Sequence, residues 1–385
     1  MLHVERAAGP GAIEKLAVEW GTLEASLQPR TPFTSPLWNL LWWKHFRVDG
    51  AWVRDELFVH TVRNEFNELI AVAPMMLTSR PAFGPLRVRG LQLLGADENV
   101  TELRSVIARS EDLSEVLAAL SAYFRATADG WDWLQWGGIP DNAQSRELLQ
   151  RAGRIQWGRV VPNYYLPLQG SWEEFKSGLS RNMKEALRKC YNSLKRAGHE
   201  FTFRAVSQPA EVAAALATFF ELHAERSRAT TLPPHANVFA RPAARDFLLE
   251  YAQRMAERDQ LRIFQLEVGG EVVATRVGFV LGQDLYLYYS GYRVTWAQHS
   301  VMTTVVAESI KWAIQQGLRG VDLSTGRDLS KLRWKPEEIV TCEGVQASSR
   351  RLRQLAAGAY LHVAERATPN SMLGRLLSSA RRAKL

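Results

Sequence analysis

The sequence has few cysteines and no long apolar run. Its two cysteines, Cys190 and Cys342, are too few for a disulfide framework or a thiolate zinc cluster. No run of about 18 apolar residues is present, and the first residues lack a charged start followed by an apolar stretch. We therefore expect a soluble cytoplasmic protein with ordinary thiols and no bound metal.

Composition and charge distribution favour two domains and a basic tail. The chain has 385 residues, of which 46% are hydrophobic, so it can bury a sizeable core. Its net charge of +8 is concentrated near the end, where residues 349–385 hold eight lysines or arginines against Glu365 alone. We predict a basic helical tail at 349–385. Such a tail can attract an anionic membrane surface or phosphates, or it can simply be a solvated helix.

Two pairs of segments point to an internal duplication. Residues 114–138 and 303–326 share one pattern: an amphipathic helix, a glycine stop, a short strand with an aspartate, and a final glycine. The hairpin patterns upstream of them, at 66–77 and 269–281, also match. A repeat of this length indicates two similar domains and not a solenoid.

The mixture of helix and strand patterns predicts an α+β fold with mixed sheets. We place an N-terminal degenerate domain at 1–168 and a C-terminal domain at 169–348. Between the halves, Ser171 and Glu174 fit a capping box that opens a basic helical segment. Its cations include Arg181 and Lys184, which either face solvent or form an electropositive lip for an anionic substrate.

The stretch from Asp284 to Trp334 forms the most informative unit of the chain. It predicts a strand, a loop, an uninterrupted helix, a second strand and a polar loop, and an antiparallel meander precedes it. The start of such a helix offers unpaired amides and a positive dipole end, which suits a pyrophosphate.

This arrangement resembles the GNAT acyltransferases, and more specifically the CelD-type enzymes linked to cellulose or exopolysaccharide biosynthesis. It is similar at greater distance to the FemAB-type peptidyltransferases, and both groups carry two tandem GNAT-like domains. The motifs that carry the resemblance are PFTSPLWNLLWWKHF, LSRNMKEALRK, LHAERSR, LRIFQLEVGGEVVATRVGF, YYSGYRVTWAQHS, and a terminal pattern of Gly326, Asp328, Lys331 and Trp334.

The resemblance implies acetyl-CoA or another acyl-CoA as cosubstrate, without a metal. The residues it assigns to the cosubstrate are Ser290, Gly291, His299, Ser300, Val301, Met302 and Thr303. Relatives tend to have Ser-Pro-Gly where this chain has Ser300, Val301 and Met302. Ser300 can still cap the helix, whereas Val301 and Met302 are expected to fill space that glycine leaves open for a phosphate.

Direct transfer to an amine or hydroxyl needs a base, an acid and donors for the oxyanion. The backbone amides of Tyr289 and Ser290 are candidate donors. Tyr288, Tyr289 and Tyr292 are candidate acids, and strand alternation predicts that only one of the first two faces the cleft. The remaining candidates are His223 and Glu225 for catalysis, and Arg181, Lys184, Asp328, Lys331 and Trp334 for substrate binding.

We expect an acyltransferase that acts on a small-molecule or glycan-precursor acceptor, sugar-linked or amino-bearing, in envelope or exopolysaccharide metabolism. One alternative is a FemAB-like, aminoacyl-tRNA-dependent peptidyltransferase; outside that reading we expect no nucleic-acid partner. A second alternative is a noncatalytic binding protein that retains the fold, for which Val301 and Met302 are the supporting residues.

Overall fold

A computed structural model describes residues 2–349, apart from residues 8, 10, 82–86, 98 and 230–234. The predicted basic tail lies, beyond its first residue, outside the described residues. Within the described part of the chain, no helix combines the length and apolar character needed to cross a membrane.

The helices begin where the sequence supplies capping residues. Ser35 accepts a hydrogen bond from the Trp38 amide ahead of a helix that opens with Pro36, and Ser171 and Glu174 form the predicted capping box. The described helices are α1 (Ala12–Ala25), α2 (Pro36–Phe46), α3 (Leu113–Ala126), α4 (Ala143–Ala152), α5 (Trp172–Gly178), α6 (Arg181–Arg196), α7 (Val212–Arg228), α8 (Pro242–Ala256), α9 (Val301–Gln315) and α10 (Leu329–Leu332).

The strands follow the alternating and apolar patterns of the sequence. They are β1 (His3–Arg6), β2 (Arg54–Leu57), β3 (His60–Arg63), β4 (Leu69–Ala73), β5 (Met75–Arg80), β6 (Val88–Leu93), β7 (Ile107–Ala108), β8 (Trp133–Pro140), β9 (Ile155–Pro167), β10 (Phe201–Val206), β11 (Leu261–Val268), β12 (Glu271–Leu281), β13 (Asp284–Tyr292), β14 (Gly320–Thr325) and β15 (Glu337–Ala347).

Contacts divide the chain into two compact units. Unit 1 consists of residues 1–161 together with the chain from Val340 onward, and unit 2 consists of Pro162–Ile339. Both β9 and β15 contain residues of each unit. The boundaries therefore fall inside strands and differ from the predicted divisions after residues 168 and 348.

Unit 1 is built on the strand order β15-β8-β6-β5-β2, with a separate sheet of order β1-β3-β4-β7. Strands β5 and β6 are antiparallel, whereas β6 and β8 are parallel and joined through α3. A hydrophobic core beneath α3 includes Leu120, Phe124 and Trp136, each almost fully buried. This core gives unit 1 its own folding centre.

Unit 2 has the strand order β10-β11-β12-β13-β14-β9. Strands β12 and β13 are antiparallel, and β13 and β14 form a parallel pair joined through α9. Helices α6 and α9 share one hydrophobic cluster with the sheet. The described members of this cluster include no residue of α7 or α8. Helices α7 and α8 pack against β11, β12 and β13 instead, so the two helix pairs cover different faces of the sheet.

The last strand of each sheet comes from the other half of the sequence. Residues 163–167 of β9 pair with β14 in unit 2, and residues 341–347 of β15 pair with β8 in unit 1. Both units thus show an antiparallel pair, a parallel crossover through a helix, and an antiparallel closing strand. This shared order confirms the predicted α+β class with mixed sheets.

Candidate functional site

The parallel strands β13 and β14 separate toward their carboxyl ends. Their pairing covers Asp284 with Gly320, Leu285 with Val321, and Tyr286 with Asp322. Beyond this point β13 continues to Tyr292 without a register partner in β14. We call this stretch of β13, which β14 no longer pairs, the opening. Two of its carbonyls have side-chain partners, Leu287 in Arg276 and Ser290 in His223.

A β-bulge lies in β13 at this opening. Gly278 pairs with Leu287 and Arg276 pairs with Ser290, so two residues, Tyr288 and Tyr289, oppose the single residue between Arg276 and Gly278. The bulge interrupts the period of two on which the predicted alternation of the two tyrosines was based. That only one of them faces the cleft stays a prediction.

The two tyrosine rings share their neighbours. The rings of Tyr288 and Tyr289 lie 4.6 Å apart between centroids, and both contact Phe239, at 6.3 and 5.4 Å. Tyr288 is buried, whereas Tyr289 is half-buried. Tyr289 is consequently the more accessible of the two predicted acids.

Helix α7 approaches the end of β13 very closely at Gly291. A Cβ placed on Gly291 would lie 2.5 Å from the His223 backbone nitrogen and 2.7 Å from the Leu222 carbonyl carbon. Real Cβ atoms do not approach backbone so closely. The absence of a side chain at Gly291 is therefore explained by helix packing, whereas the sequence reading assigned this glycine to the cosubstrate.

His223 is fully buried against this part of β13. Its Nδ1 lies 2.9 Å from the Ser290 carbonyl oxygen and must carry the proton, because a carbonyl can only accept. The Ala236 backbone carbonyl also interacts with the ring and, like the Ser290 carbonyl, opposes the effect of burial on its pKa. Burial lowers the pKa of His223, which favours the neutral ring.

His235 was missed by the sequence reading and packs edge-on against His223. The ring centroids are 4.9 Å apart, and the buried Nε2 of His235 lacks a partner in the described part of the chain. Burial lowers the pKa of His235 to about 4. The sequence feature that could have indicated His235 is its place in the long polar loop that follows the helix containing His223.

Glu225 is held in a network of charges. Its carboxylate accepts hydrogen bonds from Arg293 at 2.9 Å and from the Val294 amide at 2.7 Å. Arg293 also binds Glu221 and Glu271, and the hydrogen bonds that it donates to Glu225 and Glu221 raise the pKa of Arg293. We reinterpret Glu225, predicted as a catalytic residue, as an anchor that fixes the segment after β13.

Tyr292 is the last residue of β13, directly before Arg293. It is half-buried, packs against the core shared by α6 and α9, and has the Arg226 guanidinium 5.8 Å from its ring centroid. This position keeps Tyr292 beside the opening. Its predicted role as an acid stays a prediction.

The start of α9 differs from the predicted cap. Ser300 has φ 54° and ψ 39°, and its side chain makes no capping hydrogen bond, so the predicted Ser300 cap is wrong. Val301 is 1% exposed and belongs to the hydrophobic core, while Met302 is half-buried against that core. The Val301 side chain therefore leaves the helix end open, contrary to the expected obstruction. The Thr303 and Thr304 amides donate to the Ser300 carbonyl at 2.8 and 3.3 Å, which leaves the Val301 and Met302 amides without an intrahelical acceptor.

The left-handed backbone at Ser300 yields a testable stability prediction. L-residues pay about 1–2 kcal/mol in this region, whereas glycine adopts it freely. Ser300→Gly is therefore expected to raise the free energy of unfolding by about 1 kcal/mol, measured by urea denaturation. A lower unfolding free energy would show that the hydroxyl makes a compensating contact. Ser177→Gly, inside α5, is the matched control and should destabilise.

Arg333 is a second residue that the sequence reading missed. Its Nη2 donates to the Thr303 hydroxyl at 2.7 Å, which brings the guanidinium to the first turn of α9. Burial lowers the pKa of Arg333. No carboxylate forms an ion pair with it in the described part of the chain. The charge of Asp328 partly offsets the effect of burial, and the Arg333 Nε donates to the Ser330 carbonyl at 3.2 Å. The positive end of the α9 dipole nevertheless leaves this cation suited to a bound anion.

The predicted substrate-binding residues around α10 divide into two groups. Asp328 caps α10 by accepting from the Ser330 amide at 2.7 Å, and Lys331 donates to the Ser324 hydroxyl at 3.2 Å and to the Thr325 carbonyl. Trp334 is 2% exposed and lies in the core. We correct its predicted role from substrate binding to packing, because a ligand cannot reach the ring.

The remaining predicted residues lie around α6. Arg181 is exposed at the first position of the helix, and Lys184 donates to the Ser177 carbonyl at 2.7 Å. His299 lies just before α9, with its Nδ1 2.8 Å from the Ser193 hydroxyl of α6. The contact of His299 with Ser193 ties the last part of α6 to the segment before α9.

The residues of unit 2 thus form two groups. His223, His235 and Tyr289 lie where α7 meets the bulge of β13, and Arg333 and Thr303 lie at the start of α9. The described residues contain no group of three or more His, Cys, Asp or Glu side chains suited to holding a metal ion.

Comparisons with known proteins agree with this geometry. Residues 181–335 match the family described as "Acetyltransferase (GNAT) domain". This range contains β13, α9 and β14 together with both groups of residues. This part of unit 2 is therefore similar to a GNAT acetyltransferase domain. A search of curated proteins finds no match.

Solved structures resemble the chain over nearly its whole length. FemX aligns with a TM-score of 0.59 and 11% identity, covering 88% of this chain and 98% of its own. A conserved protein of unknown function from Bacteroides thetaiotaomicron VPI-5482 gives 0.50 and 12%, covering 91% and 100%. A tandem GNAT protein from the clavulanic acid biosynthesis pathway gives 0.47 and 10%, covering 91% and 99%. Identities this low establish similarity of fold alone.

Proposed function

We propose that unit 2 is an acyl-CoA-dependent N- or O-acyltransferase, of the CelD type, that transfers an acetyl group to a sugar-linked or amino-bearing acceptor. The observation that carries this proposal is the opening between β13 and β14, which lies beside the bulge of β13 and is joined to the start of α9. The acceptor class, and a place in envelope or exopolysaccharide metabolism, rest on the sequence motifs.

The residues around the opening fit a thioester with a phosphate-bearing tail. The β13 edge that β14 leaves unpaired offers amides to an extended chain and to the thioester oxygen. The amides of Val301 and Met302 and the nearby Arg333 suit the pyrophosphate, because both groups are positive and Arg333 forms no ion pair with a carboxylate among the described residues.

The chemistry required of the protein is modest. An amine or hydroxyl of the acceptor attacks the thioester carbonyl, the C–S bond breaks, and the thiolate takes up a proton. Amides near Tyr289 and Ser290 stabilise the negative charge that develops on the carbonyl oxygen. The half-buried Tyr289 hydroxyl can supply the proton to the leaving thiolate.

Binding and turnover of acetyl-CoA test the proposal. Calorimetry should show acetyl-CoA binding, and thiol release should require an added acceptor such as glucosamine. Saturating acetyl-CoA that gives neither a thermal shift nor thiol release with amine and hydroxyl acceptors would contradict it. Binding without turnover would favour a noncatalytic protein.

An aminoacyl-tRNA-dependent peptidyltransferase remains the second candidate. The observation that favours it is the exposed basic surface of α6, where Arg188, Lys189 and Lys195 face solvent. A dependence of transfer on charged tRNA, with no response to acetyl-CoA, would select this candidate over the first.

A further inference from the structure

We propose that unit 1 holds a binding site for a neutral, hydroxyl-bearing ligand of the saccharide class, in a cavity between the loop after α1 and the segment that contains β7. The cavity has a volume of about 520 Å³, within the usual range for small-molecule sites. All residues that border it belong to unit 1. The site requires neither acyl-CoA binding nor acyl transfer, so it does not depend on the proposed function of unit 2.

Three parts of unit 1 form the walls of the cavity. They are the loop at residues 26–34, the segment 105–111 that includes β7, and the place where the end of β8 pairs with the start of β15. The segment lies very close to β8, because a Cβ placed on Gly138 would stand 2.3 Å from the Cβ of Ser105. Glycine at this position therefore allows β7 and β8, which belong to different sheets, to border one cavity.

Side-chain contacts fix the walls relative to one another. Arg104 donates to the Glu343 carboxylate at 2.8 Å, which joins the segment before β7 to β15. Arg109 donates to the Ser26 hydroxyl at 3.2 Å, which joins the segment after β7 to the loop. A site whose walls are already connected in this way loses little conformational entropy when a ligand binds.

The wall that contains β7 presents main chain as well as side chains to the cavity. All seven residues of the segment 105–111 border it, although successive residues of an extended chain point to opposite sides. Strand β7 is the last strand of its sheet, so its second edge has no strand partner in the described part of the chain. Because β7 has only two residues, this edge is too short for strand addition by a peptide and suits a compact ligand.

Hydroxyl groups without a protein partner border the same cavity. Thr31 is 8% exposed and makes no capping hydrogen bond with its side chain. No hydrogen-bond partner for the hydroxyls of Thr31, Ser105 and Ser110 is found among the described residues. A buried hydroxyl without a partner is unfavourable. Hydroxyls both donate and accept, as a strand edge does, so a ligand with several hydroxyls can satisfy all of these groups.

The charges of the walls favour a neutral ligand. Among the described residues, the charged side chains that border the cavity are Arg109 and Glu111, one of each sign. Arg109 also lies 3.7 Å from the Asp112 carboxylate. A phosphate group would therefore lack the several cations or amides that usually bind it. The apolar side chains of Leu27 and Leu113 complete the lining and suit the C–H faces of a sugar ring.

Calorimetry with full-length wild-type protein tests the class of ligand. The neutral probes are N-acetylglucosamine and cellobiose, and we expect at least one to bind with a Kd of about 1 mM or lower. N-acetylglucosamine 6-phosphate should bind at least about 10-fold more weakly than N-acetylglucosamine, because its phosphate would lose hydration without gaining a cation. Triglycine, which represents a peptide, should not bind.

Replacement of Thr31 by valine tests the place of binding. Thr31→Val keeps the shape of the side chain but removes the hydroxyl, so the affinity for the neutral probe should fall about 3- to 10-fold. The melting temperature without ligand should be equal to or above that of wild type, because a hydroxyl without a partner is replaced by a methyl group. Ser105→Ala, on the wall that contains β7, should weaken binding by a similar factor.

Thr61→Val is the matched control. Thr61 is a threonine of β3 that is 3% exposed and does not border the cavity. Its replacement should leave the affinity unchanged. A threonine with a purely structural role at position 31 would instead lower the melting temperature and leave the affinity of the folded protein unchanged.

Three results would overturn the inference. They are a failure of both neutral probes to bind, tighter binding of the 6-phosphate or of triglycine than of the neutral probes, and wild-type affinity in Thr31→Val and Ser105→Ala. If Thr31→Val does not fold, Ser105→Ala alone decides. Acetyl-CoA binding is measured on the same samples and should be unchanged in these variants. Saccharide binding without acetyl-CoA binding would contradict the proposed function alone, and the reverse result would contradict this inference alone.

Discussion

Replacement of Arg333 by methionine is expected to weaken acetyl-CoA binding about 10- to 100-fold, because hydrogen bonds to charged groups contribute about 1.5–3 kcal/mol. The same change should leave unit 2 at least as stable as wild type. Arg333 is partly buried, has no carboxylate ion-pair partner among the described residues, and lies at the positive end of α9. Burial lowers the pKa of Arg333, and the charge of Asp328 offsets only part of this effect.

The prediction concerns both the affinity for acetyl-CoA and the stability. Replacing an arginine with a purely structural role would lower both. Methionine keeps the length and apolar stem of the side chain but removes the charge. Isothermal calorimetry gives the affinity, and urea unfolding gives the stability. Arg254→Met, at an exposed arginine of α8, is the matched control and should change neither.

Comparing ligands with and without phosphate groups tests whether Arg333 binds the pyrophosphate. If Arg333 binds the pyrophosphate, Arg333→Met should weaken binding of acetyl-CoA but leave binding of acetyl-pantetheine unchanged, because the latter lacks phosphates. Equal losses for both ligands would place the arginine elsewhere. A destabilised variant with wild-type affinity would show that Arg333 serves only to hold Thr303.

Elements that depend on local pattern were predicted well from the sequence. The meander, the uninterrupted helix found at Val301–Gln315, and the Ser171 capping box all follow from periodicity and capping chemistry. The GNAT resemblance, placed on the motifs of the second half, agrees with the family match at residues 181–335.

Features that depend on long-range pairing could not be read from the sequence. Nothing local shows that residues 163–167 pair with β14 while residues 341–347 pair with β8, so the predicted domain boundaries do not follow the contacts. The bulge at Tyr288 and Tyr289 is likewise a property of the register with β12. Both concern partners far away in the chain, where periodicity carries no information.

The site residues also divide into those that the local sequence indicates and those that depend on tertiary contacts. His223 was found because a histidine near the end of a helix before a long loop is visible in the sequence. His235 and Arg333 gain their interest only from what they touch, the His223 ring and the first turn of α9. Val301 was misjudged for a related reason. The direction in which a residue of the first helical turn points depends on how the helix packs in the fold. Val301 points into the core.

Gly291→Ala is expected to destabilise unit 2 by about 3 kcal/mol, because overpacking against rigid neighbours usually costs about 1–3 kcal/mol and backbone cannot yield as a side chain does. The added methyl group would stand 2.5 Å from the His223 nitrogen and 2.7 Å from the Leu222 carbonyl carbon. The helix must therefore shift away from β13, and the 2.9 Å hydrogen bond between His223 and the Ser290 carbonyl should lengthen or break.

Urea unfolding and acetyl-CoA turnover together test this expectation. Gly178→Ala is the matched control, because no atom lies within 4 Å of the added Cβ and the residue ends α5. The control should be neutral or slightly stabilising, since alanine restricts the unfolded chain more than glycine does. Wild-type stability in Gly291→Ala would mean that α7 does not lie as close to β13 as described. Lost turnover with retained acetyl-CoA binding would show that the distance between α7 and β13 positions the acceptor side of the site.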